Sequence, residues 1–307
     1  MASGTALNRT YIELPSDVSS EIMQKTQDES AIMRLARRIT LPGNGVTIPV
    51  ISGDPTAAWV AETGVKPVSN ATVGTKLMSA YKIAVIETFS DEFRRDIPAL
   101  YDALVSRLPG ALAKVFDNTI IGGTDAPGDK FDTFALCTQQ SLIPTSSHTT
   151  YDALVAALTD IAVQGGVLNG FAFGPQGQGI LLSAVDNDNR PLFINNVAQG
   201  AVPVILGAPT YVNKGLYVAG TAAAGSDAGT PAVVGIAGDW SQAVYGTVEG
   251  VKISVNDTGV VTAGSGTSAV NINLWQQNMI AVRAEIEVGF RADTACFNLL
   301  TGAVPQS

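Results

Sequence analysis

The chain has 307 residues, 46% of them hydrophobic and 15% charged, with a formal net charge of -9; the length points to two domains or one elaborated domain, and the composition argues against a disordered chain. The acidic balance argues against a protein that grips nucleic acid through a broad basic face. Cys137 and Cys296 are few and far apart, no basic-then-apolar leader opens the chain and no run approaches membrane-spanning length, so free thiols in a soluble, cytosolic protein are expected.

Residues 1–14 read as an extended arm. The segments DVSSEIMQKTQ and SAIMRLARRI follow as two short helices, the second with Ile32, Leu35, Ala36 and Ile39 on one face. Arg34, Arg37 and Arg38 form the one dense basic cluster, either a solvated helix face or a contact with a neighbouring subunit or with interior contents. Thr40 to Ser52 reads as a strand interrupted by a GNG turn, with Val46, Ile48 and Val50 alternating, and Lys76 to Phe89 as a second, long strand. Paired, they make a hairpin whose tip holds residues 54–74, where Gly64, Pro67, Ser69, Asn70 and Gly74 supply turn chemistry. A hairpin that long cannot bury its own surface and needs a neighbour to lie on.

Ser90 is placed to cap a helix, with Asp91 and Glu92 in the first turn. Phe93, Ile97, Leu100, Leu104, Leu108, Leu112 and Val115 then draw one apolar stripe, Pro98 separates a short first turn, Pro109 is expected to kink the helix, and Gly122 and Gly123 stop it. After the linker GTDAPGDKF, Thr150 is read as the cap of a second helix with Leu154, Leu158 and Ile161 on one face. Short apolar runs at 179–182, 202–206, 216–219, 233–236 and 251–255 suggest strands, hence an α+β fold. Met279 to Arg291 alternates cleanly, with Ile280, Val282, Ala284, Ile286, Val288 and Phe290 opposed to Arg283, Glu285, Glu287 and Arg291. This is a half-buried strand expected to pack its apolar face on the long helix.

Chemistry-bearing motifs are sparse. His148 is the only histidine, and it lies in a Ser/Thr-rich loop. The run GPQGQG (174–179) lacks a following Lys-Ser/Thr pair and no clear helix opens there, so it reads as a turn rather than a phosphate cradle. Asp186 and Asp188 lack the glycine and distal glutamate of a calcium loop and read as a hairpin turn. No cofactor and no metal site are expected.

The ordered series AETGVKP, long strand, SDE, long amphipathic helix and GG stop, spanning Ser16 to Gly123 and resumed at Asn278 to Leu300, resembles the major capsid proteins of tailed bacteriophages with the Hong Kong 97 fold. The resemblance implies an N-arm (1–40), a projecting E-loop hairpin (41–80), a peripheral domain (81–135 and 275–307) with a spine helix at about 91–121, and an axial domain (136–274). It implies a major capsid protein that assembles as pentamers and hexamers into an icosahedral shell around double-stranded DNA, without sequence-specific binding and without a membrane. Made in the bacterial host cytoplasm and ending in the virion, it would meet a portal protein and, in some relatives, a decoration protein. The start of the arm helices leaves a separate scaffolding protein, or none.

Some relatives weld their shells. On that pattern Lys66 matches the reactive E-loop lysine, Asn278 its asparagine target and Glu285 the proton acceptor, with Glu287 as the fallback. Such a protein is no enzyme beyond a single autocatalytic turnover. Asn278 and Glu285 are seven residues apart, roughly 23 Å at strand rise, so a lysine touching both needs two subunits. Trp59, Glu62, Lys76, Arg34, Arg37, Arg38, Arg94 and Arg95 are further candidates for subunit contacts. Two alternatives share the sequence evidence: an encapsulin-like bacterial compartment shell, and a soluble enzyme with an unrecognised site.

Overall fold

The computed structural model describes residues 16–43, 45–52, 59–60, 66, 72–92, 97–145, 148–185, 190–193, 204–223, 228–264 and 269–305. Helix α1 (Ser16–Glu29) and the short α2 (Ala31–Leu35) open it. Ser30 bonds the bend between them, its hydroxyl accepting from the Met33 N–H. The second helix is shorter than its periodicity suggests: Ala36 is extended, and β1 (Arg37–Thr40) is a strand parallel to a much later one. The pairing of Ile39 with Gly246 overrides the helical spacing of Ile32, Leu35 and Ile39.

β2 (Val46–Ser52) pairs antiparallel with β3 (Thr72–Met78) in a two-stranded hairpin, and β4 (Tyr81–Ser90) is a separate strand. The expected single strand Lys76 to Phe89 is therefore two, broken at Ser79 and Ala80, and β2 pairs with the first of them only. Residues 91–92 form a single 3-10 turn, in which the Glu92 N–H reaches the Ser90 hydroxyl at 3.4 Å. The long helix α3 runs Ile97–Ile120, with Pro109 inside it; residues 93–96, where the sequence places its first turn, lie outside the described residues. It ends where expected: Gly122, at φ +87°, and Gly123 return their N–H groups to Thr119 and Asn118.

β5 (Thr138–Ser141) leads to α4 (Thr150–Val163), whose cap is Thr149 in a capping box with Asp152 rather than Thr150. Its inner face is Ala153, Leu154, Ala157 and Ile161, while Leu158 lies outside it, 37% exposed. β6 (Gly170–Phe173) follows, and then α5 (Pro175–Ser183) occupies the glycine-rich run that reads as a turn. Pro175 starts this helix without needing an N–H, and Gly177 permits it to lie on the next sheet, since a Cβ there would come 2.5 Å from the Val234 carbonyl oxygen. The chain continues through β7 (Val204–Ile205), β8 (Ala208–Val212), β9 (Val233–Gly238), β10 (Ala243–Thr247), β11 (Lys252–Asn256), β12 (Val260–Ala263), β13 (Val270–Asn273), β14 (Met279–Ala292) and β15 (Phe297–Thr301). Of the expected short strands, the run at 179–182 is helix and 216–219 contributes only an isolated bridge at Val218.

Two main sheets result. In the first, β14 is the centre: β4 pairs along one edge, and β10 and β11 lie end to end along the other, with β1 outside β10. The second has the order β5-β15-β9-β6-β8-β7. The alternation read in Met279–Ala292 holds: Ile280, Val282, Ala284, Ile286, Val288 and Phe290 are buried in one cluster with Leu104, Leu108 and Leu112 of α3. The helical stripe then continues through Phe116 and Ile120, while Val115 is 48% exposed. Phe290 lies 6.2 Å from Phe116, 6.0 Å from Phe131 and 5.5 Å from Phe134, ring centre to ring centre. Ala172, Ile236 and Leu299 of the second sheet join this core, whereas Phe171, Phe173, Ala237 and Leu300 pack in a second cluster with α4 and α5. The second sheet is thus apolar on both faces, which is why its strands read as short continuous runs rather than alternations.

Candidate functional site

The hairpin β2–β3 pairs with no third strand among the described residues. Its root is fixed on one side by apolar packing: Leu41, Met78 and Val244 are buried together, with Val46 and Ile48 against them. Gly246 and Gly289 face each other across β10 and β14 and open a slot for this packing. A Cβ on Gly289 would lie 2.8 Å from Met78 Cγ, and one on Gly246 would fall onto Leu41. Beyond the root, Trp59 is fully exposed and Lys66 is exposed. Glu62 lies outside the described residues.

On the other side, Lys76 turns back to its own chain. Its Nζ donates to the Ala292 carbonyl at 2.9 Å and meets Asp132 Oδ2 at 3.4 Å. Asp132 also pairs with Arg291, Nη1 to Oδ1 at 2.6 Å, and Arg291 is buried. Arg291 reads as one more polar residue of an alternating strand, and Asp132 stands just after a linker with no role read for it; only their meeting at the hairpin root gives them significance.

Asn278 ends a turn before β14, exposed, in the left-handed region at φ 51°, with its carbonyl accepting from the Asp91 N–H at 2.8 Å. Glu285 sits within β14 with only 16% of its side chain exposed, 3.1 Å from Arg283 Nε and 3.8 Å from Lys82 Nζ. Glu287 shares Lys82 at 3.4 Å. Neither carboxylate occupies an apolar pocket within one chain.

The arginine cluster is not one patch. Arg34 stacks over the Tyr211 ring at 4.6 Å, Arg38 donates to Gln27 at 3.4 Å, and Arg37 borders an open recess of about 350 Å³ with Leu35, Asn169, Trp240 and Ser241. Because Arg37 and Arg38 are consecutive on β1, they point to opposite faces. Arg94 and Arg95 lie outside the described residues, as do Asp186 and Asp188.

Elsewhere the chemistry is quiet. The His148 ring is 3.1 Å from the Ser141 carbonyl in a surface loop. Both cysteines are free; burial pushes the Cys137 thiol up to about 12 and raises that of Cys296, with Asp293 and Asp239 adding to it. Such thiols are poor nucleophiles near neutral pH. Among the described residues no cluster of three or more His, Cys, Asp or Glu could hold a metal ion, and no helix is long and apolar enough to cross a membrane.

One buried acid was not foreseen. Asp117, inside α3, is fully buried and accepts from the Ser30 hydroxyl at 2.5 Å, the Ala31 N–H at 3.1 Å and the Asn213 amide at 2.7 Å. Burial pushes its carboxyl up to about 7 despite these hydrogen bonds and one from the Ile32 backbone. Its signal in the sequence is faint: an acid in register with Ala113 and Ile121 on the covered side of the helix.

Comparison with known proteins fits these observations. The model of the phage capsid family matches residues 12–295. The probable major capsid protein gp17 of Mycobacterium phage L5 is 30% identical over 302 residues, covering 95% of this chain and 89% of that protein. The major capsid protein of Staphylococcus phage 80alpha is 22% identical, covering 94% and 85%. Among solved structures, a chain from Microbacterium phage Oxtober96 superposes with a TM-score of 0.66 at 22% identity, covering 90% of this chain and 91% of that one. The mixed helix-and-sheet architecture is therefore one found in phage structures, and the sequence similarity runs through both sheets. This protein belongs to the phage capsid family, resembling the major capsid proteins of tailed phages.

Proposed function

We propose that the chain is the repeating wall subunit of a tailed phage head, a structural protein that assembles as pentamers and hexamers into an icosahedral shell around double-stranded DNA. The observation that carries this reading, beside family membership, is the hairpin β2–β3: seven paired residues in each strand with no third strand on either edge among the described residues, and Trp59 fully exposed beyond them. Isolated hairpins are marginal in water, and a Trp held in solvent is the side chain most often found at the centre of an interface. The division into N-arm, E-loop, peripheral and axial domains belongs to the same reading, with α3, β4 and β14 in the peripheral domain and α4, α5, β6 and β9 in the axial one; β15 joins the second sheet and β10 and β11 the first, so the sheets interleave across these bounds. The acidic chain encloses DNA without a basic face to bind it. Portal, scaffold and decoration proteins are the partners this role calls for. Electron microscopy of the protein expressed alone tests the reading: closed shells or capsomer rings support it, and a small globular particle with no rings overturns it.

In the finer part of the proposal, Lys66 and Asn278 join neighbouring subunits. The Lys66 amine attacks the Asn278 carboxamide carbon, an isopeptide C–N bond forms, the original C–N bond breaks, and ammonia leaves with the amine's proton. Both residues are exposed, which suits a bond between subunits. Glu285 would need the docking loop to displace Arg283 or Lys82 before acting as the base. Denaturing electrophoresis of assembled particles tests it: a covalent ladder that Lys66→Arg abolishes, with loss of one ammonia per link by mass spectrometry, supports the bond, and monomer alone overturns it.

A further inference from the structure

We infer that Arg291 and Asp132 form a latch that sets the angle at which the hairpin β2–β3 leaves the body of the subunit, making Arg291 a positioning residue for the surface that carries Trp59 and Lys66. The consequence for assembly rests on the function proposed above; the latch itself does not.

The geometry closes a ring of three segments. Arg291, at the end of β14, directs Nε and Nη2 to the Leu77 carbonyl of β3 at 2.9 and 2.7 Å. Its Nη1 holds Asp132 at 2.6 Å, and Nη2 also reaches the Asp129 carbonyl at 3.2 Å. Asp132 Oδ2 in turn accepts from the Ala292 N–H at 3.1 Å, and its own N–H donates to the Phe290 carbonyl at 3.2 Å. Lys76, one residue before Leu77, completes the ring through Ala292 and Asp132. A planar guanidinium carries five donors in a rigid fork, so it serves three acceptors in different segments at fixed relative angles, which the freely rotating ammonium of a lysine does not.

Two kinds of contact thus hold the root. The packing of Met78 and Leu41 over Gly246 and Gly289 resists separation, but apolar contact is non-directional and permits rotation. The guanidinium fork is directional and fixes the rotation. The lever is long: strands of seven residues extend roughly 23 Å, so a rotation of about 10° at the root carries the far end about 4 Å. That displacement exceeds what a hydrogen bond or a packed side chain tolerates.

Hydrogen–deuterium exchange on the full unassembled chain, comparing wild type with Arg291→Lys and Asp132→Asn, tests the latch. Lysine keeps the charge opposite Asp132 but cannot fork across Leu77 and Asp129. Both variants are expected to speed exchange in β2 and β3 by about tenfold or more while leaving β9 and β15 of the second sheet unchanged. Unchanged exchange in the hairpin, rescue by lysine, or a uniform rise throughout the chain would each overturn the proposal. Sedimentation of assembled material is the second readout, with fewer closed particles expected from both variants. A wild-type chain that never assembles would defeat the proposed function while leaving the exchange result to judge the latch.

Discussion

Asp117, in the last turn of the long helix, accepts a hydrogen bond from the hydroxyl of Ser30, 87 residues earlier, at 2.5 Å. The same Ser30 oxygen accepts from Met33, and Asn213 bridges Asp117 to the Glu29 carbonyl. Three distant segments, the α1–α2 bend, α3 and the turn after β8, therefore meet at one carboxyl group.

That carboxyl makes stability depend on pH in an unusual direction. Burial raises it to about 7 from an ordinary 3.8. Between these values the folded chain keeps a proton that the unfolded chain has lost. Its contribution is therefore fully present below the unfolded value and lost as pH rises through about 7. The groups around it are the Glu29 backbone, Ser30, Ala31 and Asn213, none of them cationic. The stability of the unassembled chain is expected to fall between about pH 4 and about pH 7, by a few kcal/mol at most from this group. Asp117→Asn should flatten that dependence. It should also cost about 1–3 kcal/mol, because its amide N–H groups would face the Asn213 donor. An equal pH slope in both proteins would refute the assignment.

The slot at the hairpin root makes a second prediction. Gly246→Ala places a methyl group on Leu41 and should destabilise the chain by about 1–3 kcal/mol through overpacking. In a Leu41→Ala background the clash has gone, so the same substitution should cost much less. Urea unfolding of the four proteins in the cycle measures the coupling, and additive costs would show that Gly246 is not there to admit Leu41.

Much of the architecture was legible because local and tertiary preferences agree. Met279 to Arg291 alternates because one face lies on α3 and the other is largely polar, and Gly122 stops α3 because the chain there needs a left-handed residue. The misreadings occur where the two compete. Arg37 to Thr40 continues a helical spacing yet is drawn into a strand by β10, and GPQGQG contains glycines that turns favour but that here let α5 approach β9. Ser79 and Ala80 carry no breaker signal, so the division of the long strand was invisible. The hairpin proposed as an assembly surface was legible only as an element that cannot bury itself. The Arg291–Asp132 latch was not legible, since charged residues 159 positions apart announce no contact.

A third prediction concerns the aromatic centre. Phe290 is fully buried and touches three other rings, so Phe290→Ala should cost about 3–5 kcal/mol, the sum of lost transfer energy and a cavity that neighbouring rings cannot fill. Phe290→Leu should retain most of the stability. Calorimetric melting of the unassembled chain distinguishes this from a peripheral ring, for which both substitutions would cost little.

The exposed Trp59 separates folding from assembly. Its side chain is fully in solvent, so Trp59→Ala removes no contact within the chain and should leave the unassembled protein's melting temperature unchanged. On the proposed function the same side chain lies on a neighbour in the shell, and truncating a Trp at the centre of an interface typically costs about 2 kcal/mol or more per contact. The concentration at which shells form should therefore rise by at least about tenfold, since every subunit repeats the loss. Light scattering across a dilution series measures that threshold. An unchanged threshold would place Trp59 outside the subunit contact and move the search along the hairpin, whereas a lowered melting temperature would mean that Trp59 packs within its own chain after all.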